Sequence, residues 1–182
     1  MHSKIDLYRE YHSDPTNHYS GNSLKMHFKS IDNLIKEKNC KTALDYGCGG
    51  ASAYIDDRIH LKWGLEDMGL YDPAVSQFGA LPGTEYDLVI CTDVLEHVPE
   101  EEIPDTLSQI FGLSKLCSFI NIAMYPASTT LSNGENAHCT LKSIDWWRSK
   151  MSDSLTSNIE VHALYSFDHS LDKIHYETYK KE

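Results

Sequence analysis

The junction at residues 42–50 constrains this chain more than any other feature. Thr42-Ala-Leu-Asp-Tyr46 is a short apolar run that passes without a break into Gly47-Cys-Gly-Gly50. A run of strand character that stops at glycines predicts a strand ending in a tight turn. Glycine reaches positive φ without a Cβ penalty, and its bare backbone lets a ligand come close. Junctions of this kind open α/β units, in which the following helix aims its N-terminal amides at a bound group. Asp45, two residues before the first glycine, selects among ligands: a carboxylate there repels a pyrophosphate and attracts an ammonium or sulfonium group. The dinucleotide pattern G-x-G-x-x-G has Ser52 at its third position, and no Lys-Ser or Lys-Thr pair follows as a phosphate loop requires. A plain strand-to-helix turn that holds no ligand stays open at this point.

The remaining periodicity predicts the elements around that junction. Ser23 caps a helix over 24–38, with Leu24, Phe28, Ile31, Leu34 and Ile35 as its buried stripe, and a weakly patterned helix starts near Ala51. Leu70-Tyr-Asp72 reads as a short strand stopped by Pro73. Tyr86 to Thr92 and Cys117 to Ala123 are continuous apolar runs, the mark of strands buried on both faces of a parallel sheet. Pro104 opens a helix, with Glu100 to Glu102 favouring its N-terminal end, and Ser143 caps another that carries Trp146, Trp147 and Met151. Two strands, Ile159 to Leu164 and Lys173 to Tyr179, close the chain through a turn at 168–172. Residues 1–22, with Tyr8, Tyr11, Pro15, Tyr19 and Gly21, form an irregular lead-in holding one short helix. With 182 residues the chain is sized for one domain, a lead-in over 1–22 and a core over 23–182. The expected fold class is α/β: a doubly wound, Rossmann-like, mostly parallel sheet with helices on both faces.

Charge placement excludes some partners. The formal net charge is −11, and between Trp63 and Ser114 there are eleven acids with no Lys or Arg. Such a segment repels phosphate backbones, so nucleic acid is not an expected partner; a cation is welcome. No stretch approaches the roughly 20 apolar residues of a membrane span, and the first residues lack the apolar core of a signal peptide, so a cytoplasmic location without membrane association is expected. Cys40, Cys48, Cys91, Cys117 and Cys139 are odd in number and show no zinc-binding spacing, which predicts separate reduced thiols and no metal.

The motifs also carry a family resemblance. Leu44-Asp-Tyr-Gly-Cys-Gly49, Tyr71-Asp72-Pro73, Leu81-Pro82 and Tyr86-Asp-Leu-Val-Ile-Cys-Thr-Asp-Val-Leu-Glu-His-Val-Pro99 resemble, in order and spacing over 44–124, the motifs of class I S-adenosylmethionine-dependent methyltransferases. The block from Asn133 to Trp147 is similar to one in bacterial and phage members. The resemblance implies S-adenosyl-L-methionine as cofactor and a small-molecule acceptor. It implies cofactor contacts from Asp45, Tyr46, Gly47, Cys48 and Gly49 in the turn, Asp72 and Pro73 at the ribose, and Thr92, Asp93 and Val94 near the sulfonium. The chain departs from the family in being shortened around the third strand, where the acid that binds adenine is missing. That function then falls to backbone near Ala80 and Leu81, or to stacking by Phe78. Cys91-Thr-Asp-Val lacks the Pro-Pro or Pro-Cys of nucleobase methyltransferases.

For catalysis, His138 in the loop 124–142 is the first candidate for a base or an acceptor-orienting group, with Asn136 and Thr140 able to hold it. His97 and Asp93 follow. The plain readings are a surface histidine, a packing histidine and solvated acids, with Glu96 helping a helix to start. Of Trp146 and Trp147, one is expected in the core and one on the pocket wall. Aminopropyl transfer, cofactor cleavage and a non-catalytic cofactor-binding module are the alternatives to methyl transfer.

Overall fold

The computed structural model describes residues 3–14, 22–168 and 172–181. A six-stranded, mostly parallel sheet organises them. In chain order its strands are β1 (Thr42–Tyr46), β2 (Asp67–Tyr71), β3 (Tyr86–Thr92), β4 (Ser114–Ala123), β5 (Glu160–Ser166) and β6 (Ile174–Lys180), and in space they run β2-β1-β3-β4-β5-β6. Every pairing is parallel except β5 with β6. The apolar runs predicted a buried parallel sheet, and β3 shows why they had to be continuous. Val89 and Cys91 point into one hydrophobic cluster and Leu88 and Ile90 into another, so neither face has room for a polar residue.

The helices divide between these clusters. The first includes α6 (Ile103–Gly112) and α7 (Ile144–Ser154); the second includes α3 (Phe28–Lys38), α4 (Ser52–Ile55) and α5 (Ile59–Lys62). Ser143 caps α7 as expected, accepting from the Trp146 amide. Trp147 is fully buried, whereas Trp146 lies between the ammonium groups of Lys142 and Lys150, 5.6 and 5.4 Å from its ring centre, and not on a pocket wall.

Other expectations are corrected. The helix over 24–38 is two helices, α2 (Asn22–Met26) and α3, separated at His27. His27 donates its amide to Leu24 three residues back and buries its ring against Phe119, which turns the chain; Ser23 lies inside α2 and is not its cap. The helix expected from Ala51 breaks after one turn into α4 and α5, because Arg58 between them takes left-handed backbone (φ 50°); Ala51, also left-handed (φ 54°), caps α4. β4 begins at Ser114, three residues ahead of Cys117. In the lead-in, α1 (Lys4–Ser13) is a full ten-residue helix with a capping box between Ser3 and Asp6. Pro15, Tyr19, Gly21 and the middle of the turn at 168–172 lie outside the described residues. Between β2 and β3 there is only a single 3-10 turn, Ser76–Phe78, so the expected shortening is present. The five cysteines are free thiols. Among the described residues no helix is long and apolar enough to cross a membrane.

Candidate functional site

Because β1 to β4 are parallel, the loops that leave their C-terminal ends share one edge of the sheet. The chain goes from β1 to β2 on one side and returns to β3 on the other, which leaves a crevice above β1. A cavity of about 500 Å³ occupies this crevice, inside the range of ligand pockets. Asp45, Tyr46, Gly47, Cys48 and Gly49 line it from β1 and its turn, Asp72 and Pro73 from beyond β2, and Thr92, Asp93 and Val94 from beyond β3. α1 contributes Lys4, Ile5, Tyr8 and His12, and the loop after β4 contributes Tyr125, Ala127 and His138. The lead-in and the long loop are therefore walls of this cavity. Ala80 and Leu81 are not. They sit on an exposed stretch, with Leu81 45% exposed, while Phe78 packs against the second core cluster. The bond from the Asp72 amide to the Phe78 carbonyl (3.0 Å) folds this short connection back on itself, away from the crevice.

The glycine turn is fixed by the end of β2. The amides of Gly47 and Cys48 both donate to the Tyr71 carbonyl (2.7 and 3.1 Å), and the Gly49 amide donates to Asp72 Oδ2 (2.9 Å). Asp72 Oδ1 accepts from the Ala74 amide at 2.9 Å. The amides expected to face a ligand are thus engaged within the protein, and the turn presents bare Cα surface instead. Gly47 has φ +90°, and a Cβ there would stand 2.3 Å from Val94 Cγ2. Both its conformation and the side chain lying over it demand glycine.

Three acids at strand ends meet in the cavity. Asp45 is 4% exposed, and burial pushes its carboxyl up to about 7, with the Asp72 charge adding to the rise and the Tyr54 hydroxyl drawing it partly back. Asp93 takes left-handed backbone (φ 55°), an uncommon conformation of the kind that accumulates at functional sites. Its Oδ1 accepts from Asn121 Nδ2 at 2.6 Å, and Asn121 Oδ1 in turn accepts from Ser166 Oγ at 2.7 Å. Three neighbouring strands thereby set the direction of one carboxylate.

Beyond Asp93 the 3-10 turn Leu95–His97 carries Glu96 and His97. Glu96 is no solvated acid. It is wholly buried, its Oε1 accepts from the Ala123 amide at 2.9 Å, and burial raises its carboxyl far above the usual range, with the Asp93 charge second. His97 Nδ1 lies 2.8 Å from the Tyr8 hydroxyl and 3.2 Å from the Ala137 carbonyl, and burial pushes its imidazolium down to about 3. His138 donates its amide to Asn136 Oδ1 (3.0 Å) and pairs through Nδ1 with the Tyr125 carbonyl (2.5 Å). Asn136 anchors this segment by bonding both the amide and the carbonyl of Ala127. Thr140 does not orient His138; its hydroxyl donates to the Val98 carbonyl at 2.6 Å. The His97 and His138 rings meet edge to face with centres 4.6 Å apart. With Glu96 they form a cluster whose ligand-type atoms all lie within 4.8 Å of one another. Sequence reasoning missed this meeting, because its members come from two successive connections, one after β3 and one after β4. The available signal was Glu96-His97 just past a strand end, with a histidine in the covering loop.

No protein-family model matches the chain, and no curated protein matches it.

Proposed function

We propose that this protein is an S-adenosylmethionine-dependent methyltransferase acting on a small or medium-sized acceptor, with its sheet doubly wound in the Rossmann manner within a single domain. The observation that carries this reading is the convergence of Asp45, Asp72 and Asp93 with the bare glycine turn on one cavity, at the point where strand order reverses. Ligands of open α/β sheets bind at that point. Among the described lining residues only Lys4 is a permanent cation, so the cavity favours a positively charged ligand over a phosphate.

When bound, the cofactor supplies a methyl group on a sulfonium, open to in-line attack. The Asp45 and Asp93 carboxylates offset positive charge. Asp72 already accepts two backbone bonds, and a carboxylate has about four acceptor sites, so two remain for ribose hydroxyls. Thr92 to Val94 flank the methyl position, and Asp93, His97 and His138 face the acceptor beyond it. α1 and the loop 124–142 exclude water and limit acceptor size. Most of the rate would come from holding acceptor and methyl group in line. The acidic walls argue against nucleic acid as acceptor.

Calorimetry on the folded chain tests this reading. S-adenosylmethionine and S-adenosylhomocysteine should both bind, and more tightly as pH rises through about 7, because both carry an ammonium group that favours the ionised form of Asp45. Asp45→Asn should flatten that dependence. Absence of heat with both ligands would overturn the proposal.

A further inference from the structure

Glu96 needs an explanation. Its side chain is 0% exposed, one oxygen takes a single hydrogen bond from the Ala123 amide, and Oε2 meets no hydrogen-bond partner among the described residues. A buried carboxyl with a bare oxygen is strongly unfavourable unless a donor or a cation reaches it. Beside this carboxyl stand two imidazoles, and the ligand atoms of Glu96, His97 and His138 lie within 4.8 Å of one another. Two atoms that share an ion at about 2.1 Å each are at most about 4.2 Å apart, so the cluster needs to contract by only about half an ångström.

Both imidazoles are oriented from behind. His138 Nδ1 is 2.5 Å from the Tyr125 carbonyl. His97 Nδ1 is 3.2 Å from the Ala137 carbonyl, which also accepts the Tyr8 hydroxyl proton at 2.7 Å. A carbonyl only accepts, so each ring carries its proton on Nδ1 and its lone pair on Nε2. Ligating histidines are held in this way, by an acceptor on the far nitrogen.

We propose that Glu96, His97 and His138 bind one divalent transition-metal cation, of the class of Mn²⁺, Co²⁺ or Zn²⁺. One carboxylate with two imidazoles is the donor set of an open site, with positions left for water or substrate. Two nitrogen ligands set it apart from the all-oxygen cages of Ca²⁺ and the water-rich sites of Mg²⁺. Cys139 takes no part; its thiol donates to the His97 carbonyl at 3.3 Å. Since His97 and His138 line the cavity, the ion would sit in its wall, near Asp93. It would also tie three separate segments together: the turn after β3, the covering loop and, through Tyr8, helix α1. The site itself stands apart from the methyl-transfer reading. Only its use rests on that reading, in which an open position holds an oxygen of the acceptor beside the methyl group.

The test uses the full chain stripped with a chelator and then dialysed free of it. Calorimetry with MnCl₂ and ZnCl₂ should give one ion per chain, and CoCl₂ should give a visible absorption spectrum of mixed nitrogen and oxygen ligation. Replacing Glu96 or His97, both in tight surroundings, can prevent folding, so the deciding variant is His138→Ala at a half-buried position, with folding followed by circular dichroism. His138→Ala should weaken binding tenfold or more, and Tyr8→Phe, which removes the hydroxyl that touches both His97 Nδ1 and the Ala137 carbonyl, should weaken it by a smaller factor. The proposal fails if the folded wild type takes up none of the three ions, or if His138→Ala binds them as the wild type does. Cofactor calorimetry on the same samples separates the two readings. Ion uptake without cofactor uptake removes methyl transfer and keeps the metal site; cofactor uptake without ion uptake does the reverse.

Discussion

The two ends of the cavity are built on different principles. At the glycine turn the geometry is held largely by main chain: the Gly47 and Cys48 amides share the Tyr71 carbonyl, and the Asp72 carboxylate closes the arrangement onto Gly49 and Ala74. At the histidine end it is held by side chains from three segments distant in sequence, with Tyr8, Asn136 and Glu96 as the joints. The first end should tolerate most side-chain changes and fail where backbone freedom or space is lost. The second, outside the tightly enclosed Glu96 and His97, should keep the fold yet lose its arrangement one side chain at a time.

The largest expected effect is at the first end. Gly47→Ala adds a left-handed penalty of about 1–2 kcal/mol for an L residue to about 1–3 kcal/mol of overpacking against Val94. Chemical denaturation should register the sum, and Val94→Ala in the same chain should recover the packing part alone; full recovery would show that φ is not the constraint.

Asp45→Asn comes next. A carboxyl whose folded value lies near 7 binds a proton in the fold that it loses when unfolded, so its cost is absent below about pH 4 and complete above about pH 7. Wild-type stability should therefore fall, through this group, as pH rises across that window, by up to about 4 kcal/mol for three units. The variant should melt higher than wild type at pH 8 and alike at pH 4; equal melting at both would mean that Asp45 is ionised at no cost.

Asp72→Asn should cost about 1.5–3 kcal/mol, since an amide can accept at only one of the two positions that now bind Gly49 and Ala74. The smallest effect belongs to the second end. Asn136→Ala removes the anchor of the His138 amide and of Ala127, and its half-exposed partners regain water, so stability should drop by about 1 kcal/mol. Protease sensitivity between residues 125 and 140 should rise at the same time. A loss as large as that of Gly47→Ala would erase the distinction between the two ends.

What could be read in advance follows the same division. Strands β1 and β3 and the cap of α7 are written in contiguous residues, so apolar runs and Ser143 announce them. That Asp45, Gly47, Asp72 and Asp93 line one cavity was legible, because parallel strands bring their C-terminal ends together whatever the intervening chain does. The break at His27 was not legible, since it depends on Phe119 from a distant strand. Nor was the displacement of Ala80 and Leu81, which depends on how a connection without a strand folds back through Phe78. Glu96 read as a solvated acid that helps a helix to start. Its burial is decided by the Ala123 amide at the end of β4, and the meeting of His97 with His138 by a loop that no local pattern describes.

The bonds that run from Ser166 through Asn121 to Asp93 cross three strands, and they decide which way one amide faces. An asparagine can rotate by half a turn at almost no steric cost, exchanging its oxygen for its nitrogen. Here the Asp93 carboxylate, which only accepts, claims the NH₂, and that commits the oxygen to the Ser166 hydroxyl. Ser166→Ala would leave the amide oxygen without its donor, so the asparagine that aims the carboxylate would be held from one side only. A hydroxyl two strands away, outside the cavity, thus braces the acid that faces it.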